Sequence, residues 1–360
     1  MSTNDIKERE KAEALDEIKA TIPPEDIVAF NESRSCADLF RLYQKGQLDI
    51  QPKFQRGIVW SDKEQALFVD SLIKQLPIPS LCISVDVKTQ KRLVIDGLQR
   101  MWTIIHFLNF ENDDWKIPKT SEIDPDISNQ KVSDIQKHSP VLFDKLENLT
   151  IPITVLRCNY DKSDHMAYLF QIFRRLNSGG SKLLNQEIRN CIYTGNFNDF
   201  LREFAQCNQW LDFAKTTKKA VEKARFGNEE RILRFFAMLS NWKNYSGNLA
   251  RFLNNYMENK RNLSSKEIDD FRSVLTRTIN IAMKLNIPTH IHKNKNLVEA
   301  ILVGIASNIS TLEKLQESEI DSRFQQLQQT RPFSEDIREG MAHTIKVKER
   351  ISESIRIWSI

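Results

Sequence analysis

No run of 18 apolar residues occurs in the 360-residue chain, which excludes a transmembrane helix of ordinary length. The stretch from Met1 to Lys19 is too highly charged for a secretory signal, so the expected setting is a soluble, cytoplasmic one with no membrane partner. The five cysteines, Cys36, Cys82, Cys158, Cys191 and Cys207, are odd in number and scattered, without a C-x-x-C pair or histidines at metal-ligand spacing. That argues against a disulfide framework and against structural zinc, and fits a reducing compartment. Although 28% of residues are charged, the net charge is only +4, so any contact with nucleic acid must rest on a local basic patch. Also missing are a P-loop, an H-x-E, a G-x-S-x-G and the carboxylate cluster of a two-metal nuclease. A nuclease complete in itself is the reading these absences weaken most.

What the chain does have is organised around Leu93-Val94-Ile95-Asp96-Gly97-Leu98-Gln99-Arg100. A short β-branched run ends in Asp-Gly, which favours a tight turn. Apolar residues then recur at Met101, Ile104, Ile105 and Leu108, the spacing of a buried helix face. The expected unit is strand, turn, helix. Backbone N–H groups of the first helical turn and the positive end of the helix dipole then lie beside Gln99 and Arg100, a setting that attracts phosphate. Gly97 leaves room for approach, Arg100 can grip phosphate oxygens with two N–H groups, and Asp96 can orient a metal, a ribose hydroxyl or a water. The plain alternative is a hairpin-to-helix connection with an exposed arginine.

Residues 1–32 are rich in Glu and Lys and read as a charged arm, either a solvated helix or partly disordered. From Cys36 a helical pattern runs through Leu39, Leu42 and Tyr43. Pro52 and Gly57 then exclude a helix and leave an extended segment presenting Gln55 and Arg56, a second Gln-Arg pair. Ser61 to Glu64 is a capping box opening a helix with core face Val69, Leu72, Ile73 and Leu76, ended by Pro77 and Pro79. Leu81 to Val87 alternates and pairs as a hairpin with Leu93 to Ile95. Residues 111–140 read as a surface excursion, and Ile151 to Leu156 as a strand with Pro152 at an edge or near its start.

A helix with Met166, Leu169, Phe170 and Phe173 on one face closes at Arg174-Arg175-Leu176-Asn177-Ser178-Gly179-Gly180. The glycines suit a left-handed helix end; the functional alternative is a loop close to a ligand, with Arg175 and Asn177 as polar contacts. Asn185 can cap the next helix, on which Glu187 and Arg189 do not share a face. Beyond it the pattern is helical: Phe197 to Phe204, Asn228 to Trp242, a capping box at Ser264 to Glu267, Leu297 to Leu312, and Met341 to Ile355. Lys215, Lys218, Lys219, Lys223, Arg225, Arg231 and Arg234 concentrate positive charge among Phe213, Phe226 and Phe235. Such a stretch either tracks nucleic-acid phosphates or is a solvated helix face. His290 and His292 have no acidic partner at useful spacing and read as a loop rather than a metal site.

Several stretches together resemble one family. Pro52-Lys53-Phe54-Gln55-Arg56 with Trp60, Val94 to Arg100, Ile172 to Gly180 with Leu184 to Asn190, and Glu229 to Phe235 are similar in order and spacing to the N-terminal DGQQR-motif domain of GmrSD-type restriction proteins. The resemblance implies an α+β fold: a ParB/sulfiredoxin-like domain with a small mixed sheet over residues 33–180, then an α-helical domain over 181–360. It also implies a nucleoside triphosphate with Mg²⁺ bound and hydrolysed at the turn, in a defence system against phage or foreign DNA that licenses a partner nuclease. Carried over, Asp96, Gln99 and Arg100 are catalytic, with Asp96 also meeting Mg²⁺ through the phosphates. Gln55, Arg56, Gly97, Arg175 and Asn177 bind the nucleotide. Two departures stand out: position 98 is Leu where the motif has Gln, and the C-terminal helices lack an HNH nuclease pattern, so the chain resembles a stand-alone sensor half. The expectation is an NTP-hydrolysing regulatory subunit. Its rivals are a non-enzymatic ParB-like DNA-binding module, with Lys215, Lys218, Lys219, Lys223 and Arg225 on DNA, and a DNA endonuclease in its own right.

Overall fold

A computed structural model describes residues 23–50, 60–176, 183–217, 226–333 and 343–359. The calls on Gln55, Arg56, Asn177, Lys218, Lys219, Lys223 and Arg225 lie outside the described residues. The fold is α+β, with a five-stranded mixed sheet followed by helices. Two compact units divide the chain, one covering 22–192 and the other containing 193–360. No described helix is long and apolar enough to cross a membrane.

In the first unit, β1 (Val28–Ser35) runs into α1 (Cys36–Gln44), followed by β2 (Leu48–Asp49), α2 (Asp62–Ile73), β3 (Leu81–Asp86), β4 (Arg92–Asp96) and α3 (Leu98–Leu108). Next come α4 (Val132–His138), α5 (Pro140–Asn148), β5 (Thr150–Cys158), α6 (Ser163–Leu176) and α7 (Asn185–Ile192). The strand order is β1-β5-β3-β4-β2; β3 pairs antiparallel with β4 and parallel with β5, and β2 pairs parallel with β4.

Because β3 is central in the sheet, all its residues are buried, including the polar Ser84 and Asp86 of the expected alternation, and Asp86 accepts from the N–H groups of Thr89 and Tyr160. Pro152 sits near the start of β5, one residue before the register with β3 begins at Leu81↔Ile153, where its missing N–H disturbs the ladder least.

The capping box at Ser61 forms as read: the Ser61 hydroxyl accepts from the Glu64 N–H and the Glu64 carboxylate accepts from the Ser61 N–H at 2.7 Å. The far end of α2 differs from expectation. Gln75 takes a left-handed φ of 55°, and the Leu76 N–H reaches back to the Ser71 carbonyl at 2.9 Å. This left-handed C-cap ends α2 at Ile73, before either proline, and leaves Leu76 half exposed instead of in the core.

Residues 111–140 also correct the sequence reading. Trp115, Ile117, Ile123, Ile127, Val132 and Ile135 are buried in the same core as α1, α2 and α3. Their spacing follows tertiary contacts and has no period, so neither helix nor strand templates detect it.

The second unit is helical: α8 (Asn196–Ala205), α9 (Asn208–Phe213), α10 (Gly227–Asn241), α11 (Leu249–Lys260), α12 (Ser265–Met283), α13 (Thr289–Lys293), α14 (Lys295–Ser307), α15 (Ile309–Leu312), α16 (Glu317–Gln329) and α17 (Thr344–Trp358). The helix expected over Leu297 to Leu312 is broken at Asn308, whose side-chain amide donates to the carbonyls of Gly304 and Ile355 at 3.0 and 3.1 Å. Around α14, buried continuously from Asn296 to Ile305, pack α10, α12 and α17. Phe197, Phe200, Phe236 and Phe271 form an aromatic cluster, with Phe236 and Phe271 centroids 4.7 Å apart.

Near the start of α10, Glu229 is buried, and burial pushes its carboxyl up to about 7 against the smaller opposing effects of its own backbone N–H and Arg202. A raised carboxyl pKa means the folded state holds the proton more tightly. Its stabilisation is therefore full below the ordinary value of 4.5 and disappears as pH rises through about 7. Glu229→Gln is expected to flatten this decline and to stabilise the chain above pH 7 by up to about 3 kcal/mol. Urea denaturation at pH 5 and pH 8 reads the effect; equal stability of the two proteins at both pH values would remove the assignment.

Candidate functional site: the Asp96–Arg100 turn

The strand, turn and helix read from the sequence are β4, Gly97 and α3. Met101, Ile104, Ile105 and Leu108 face the core, and Leu98 is buried too. The position where the family motif carries glutamine is thus a packing position in this chain, and Gln99 and Arg100 supply the turn's polar side chains.

Gly97 has a φ of 89°, in the left-handed region. A Cβ there would collide with Leu81 Cδ2 and lie 3.0 Å from Arg100 Nη2. The missing side chain therefore does two things: it permits the backbone to turn, and it lets the Arg100 guanidinium fold back over the turn. Nη2 of Arg100 donates to Asp96 Oδ2 at 3.1 Å, and Nη1 donates to the Pro79 carbonyl. The Arg100 side chain is 16% exposed and that of Asp96 37%. Burial lowers the arginine's pKa from its usual value, and the Asp96 carboxylate partly offsets this.

The N-cap residue of α3 is Gly97, which has no side chain with which to cap it, and the helix dipole and first-turn N–H groups are directed at the turn. Beside them, Gln99 Oε1 accepts the Trp60 N–H at 3.2 Å. The Trp60 carbonyl accepts from Gln65 Nε2 at 3.1 Å, and Gln65 Oε1 meets His106 Nδ1 at 3.1 Å. The backbone at Trp60 is thereby clamped to α3 from both sides, by Gln99 through its N–H and by His106 through Gln65. Stacked on Trp115 with centroids 4.8 Å apart, His106 is held below its ordinary pKa by burial.

Asp96, Gly97, Gln99 and Arg100 are thus together at one turn. Arg175 is exposed on the last turn of α6, a helix that packs on β4, the strand ending in Asp96. Glu187 and Arg189 on α7 are buried, with Glu187 accepting the Leu184 N–H at 2.6 Å and Arg189 donating to Gln186 at 3.1 Å.

In the helical unit, Lys215 is exposed, whereas Phe213 and Phe235 are buried. Arg234 is buried between Glu299 at 2.6 Å and Asn296 at 2.8 Å. Arg234 is therefore a structural ion pair and not a phosphate contact, a correction to the basic patch read from charge alone. His290 and His292 lie on the short helix α13, where a loop was expected; His292 donates Nε2–H to the Phe213 carbonyl at 2.8 Å. Among the described residues no three His, Cys, Asp or Glu side chains are grouped to hold a metal ion.

The sequence reading named Pro79 only as a helix end and Trp60 only within the family-like stretch, and gave neither a role at the turn. Both act through backbone groups, and sequence carries no signal for which carbonyl or N–H will face a side chain.

Residues 36–194 match the model of the GmrSD restriction endonuclease N-terminal domain. No curated protein and no solved structure matches the chain.

The turn's dependence on a missing Cβ makes a direct prediction. Gly97→Ala is expected to cost about 2–4 kcal/mol, from left-handed backbone strain and the clash with Leu81 together. Chemical denaturation measures this, and a loss below about 0.5 kcal/mol, the range of neutral surface changes, would show that the turn is not constrained in this way.

Proposed function

With residues 36–194 forming a domain of the GmrSD restriction endonuclease N-terminal family, we propose that this chain binds and hydrolyses a nucleoside triphosphate at the Asp96–Arg100 turn. In this reading it is the regulatory component of a restriction-type defence system and acts with a nuclease partner. The observation that carries the reading is the Arg100 guanidinium, folded over the side-chain-free Gly97 turn at the start of α3 and held by one carboxylate and one carbonyl.

Those two contacts are replaceable. A phosphate brings charged oxygens that can take two parallel N–H bonds from the Arg100 guanidinium, which the single neutral Pro79 carbonyl oxygen cannot. Release of Asp96 from Arg100 then leaves a carboxylate free to orient water. The attacking water oxygen bonds to the terminal phosphorus as the bond to the bridging oxygen breaks, the electron pair departs on the diphosphate, and the water gives up its proton to the Asp96 carboxylate. Arg100 and the helix N-terminus stabilise the charge that spreads over the equatorial and bridging oxygens, where fixed dipoles act without reorganising. Magnesium bound through the phosphates would neutralise further charge. Gln99 keeps Trp60 in register beside the turn.

Phosphate release from each of the four ribonucleoside triphosphates with Mg²⁺, with and without DNA, tests the proposal. Turnover of at least one nucleotide is expected, falling by about 10²–10³-fold in Arg100→Ala, the scale for removing a donor to transition-state charge. Asp96→Ala is expected to be similarly impaired while remaining folded. Absence of turnover under all conditions, or turnover indifferent to both substitutions, would overturn it.

A further inference from the structure

Arg231 and Arg234 lie one helical turn apart on α10, yet the protein treats them differently. Arg234 has a carboxylate and an amide as partners. Arg231 has its Cζ 5.4 Å from the centre of the Trp210 ring, and its Nη2 is buried with no hydrogen-bond partner. Trp210 itself is 1% exposed, and its indole Nε1 is also buried without a partner. Two side chains in contact thus each keep an unsatisfied donor away from water, a cost of about 1–3 kcal/mol apiece in an isolated protein.

The described side chains in ring contact around Trp210 and Phe213 add a further donor and positive charge. Trp210 meets Phe213 with ring centres 5.8 Å apart, and Phe213 meets His292 at 5.8 Å. The His292 Nε2–H is committed to the Phe213 carbonyl at 2.8 Å. Two residues beyond Phe213, Lys215 is exposed and held in a left-handed conformation with a φ of 49°. Among the described residues no carboxylate forms an ion pair with Arg231, His292 or Lys215. The electrostatics agree: burial, then Arg234, lowers the Arg231 pKa to about 10, and burial lowers that of His292, with Lys215 and Arg231 adding to it. A group of donors with no acceptor calls for an oxyanion.

We propose that Arg231 and Trp210, with Lys215 at the rim and His292 alongside, form a phosphate-binding site in the helical unit, separate from the Asp96–Arg100 turn. The phosphate belongs either to a free phosphate compound such as a nucleotide or to a nucleic-acid backbone. The recognition chemistry is the same: the guanidinium and indole N–H groups satisfy oxygens, and the cationic charges compensate the anion.

The test follows thermal melting of the full chain carrying Arg100→Ala, so that the turn does not contribute, while inorganic phosphate replaces chloride at constant ionic strength. A saturable rise in Tm is expected. Adding Arg231→Met should weaken phosphate by at least about tenfold, the scale of one charge-assisted bond. It should also leave the phosphate-free Tm equal or higher, because an uncompensated buried charge has been replaced by an apolar side chain. Lys215→Ala, at an exposed position, should weaken phosphate roughly two- to fivefold. A flat Tm in the Arg100→Ala chain, or an Arg231→Met protein with an undiminished phosphate response, overturns the proposal. If Arg231→Met does not fold, an unchanged response in Lys215→Ala overturns it instead. Competition identifies the source: displacement of phosphate by a short DNA duplex assigns a backbone phosphate, and displacement by a mononucleotide but not by duplex assigns a free one.

Discussion

The candidate site depends on one steric fact, the absence of a side chain at Gly97. Left-handed backbone at this position turns β4 into α3, and the space a Cβ would occupy is filled by Leu81 and the folded-back Arg100. Without that turn, Asp96 at the end of a strand and Arg100 in the first turn of a helix would not meet at 3.1 Å. The buried face of α3 fixes the helix, and the central position of β3 fixes Leu81 and Pro79, so the core of the first unit sets the site's geometry. Arg100 is then poised: largely buried, but held by contacts that an incoming anion can replace.

Three arginines show how the protein assigns roles to the same side chain. Arg234 is buried with Glu299, whose charge more than offsets the burial that opposes ionisation, and keeps its pKa above the usual range; it joins α10 to α14. Arg100 is largely buried and bonded to a carboxylate that is itself half-buried. Arg231 rests on an aromatic face with one nitrogen unsatisfied. A buried pair is costly to break and has little capacity to respond. The other two hold charge in reserve, and both proposed ligand sites rest on that difference.

Much of this was legible in the sequence. The Asp-Gly turn, the helix face behind it and both Ser-x-x-Glu capping boxes rest on local rules, and they form as read. Leu98 facing the core follows from the same periodicity. Other features depend on tertiary context. The apolar residues between Trp115 and Ile135 pack through irregular contacts, so their composition suggests surface. Leu76 fits the α2 face by spacing, but a left-handed cap at Gln75 ends the helix first. A count of basic residues cannot separate Arg234, inside the core, from Lys215 in solvent. The Pro79 carbonyl and the Trp60 N–H, which hold Arg100 and Gln99, are backbone groups that no residue pattern marks.

A structure of the chain with a non-hydrolysable nucleoside triphosphate analogue and Mg²⁺ tests the central claim most directly. The account predicts phosphate oxygens within hydrogen-bonding distance of the Arg100 guanidinium and the first-turn N–H groups of α3, with Arg100 withdrawn from the Pro79 carbonyl. An analogue bound elsewhere, with Arg100 still bonded to Pro79 and Asp96, would contradict it.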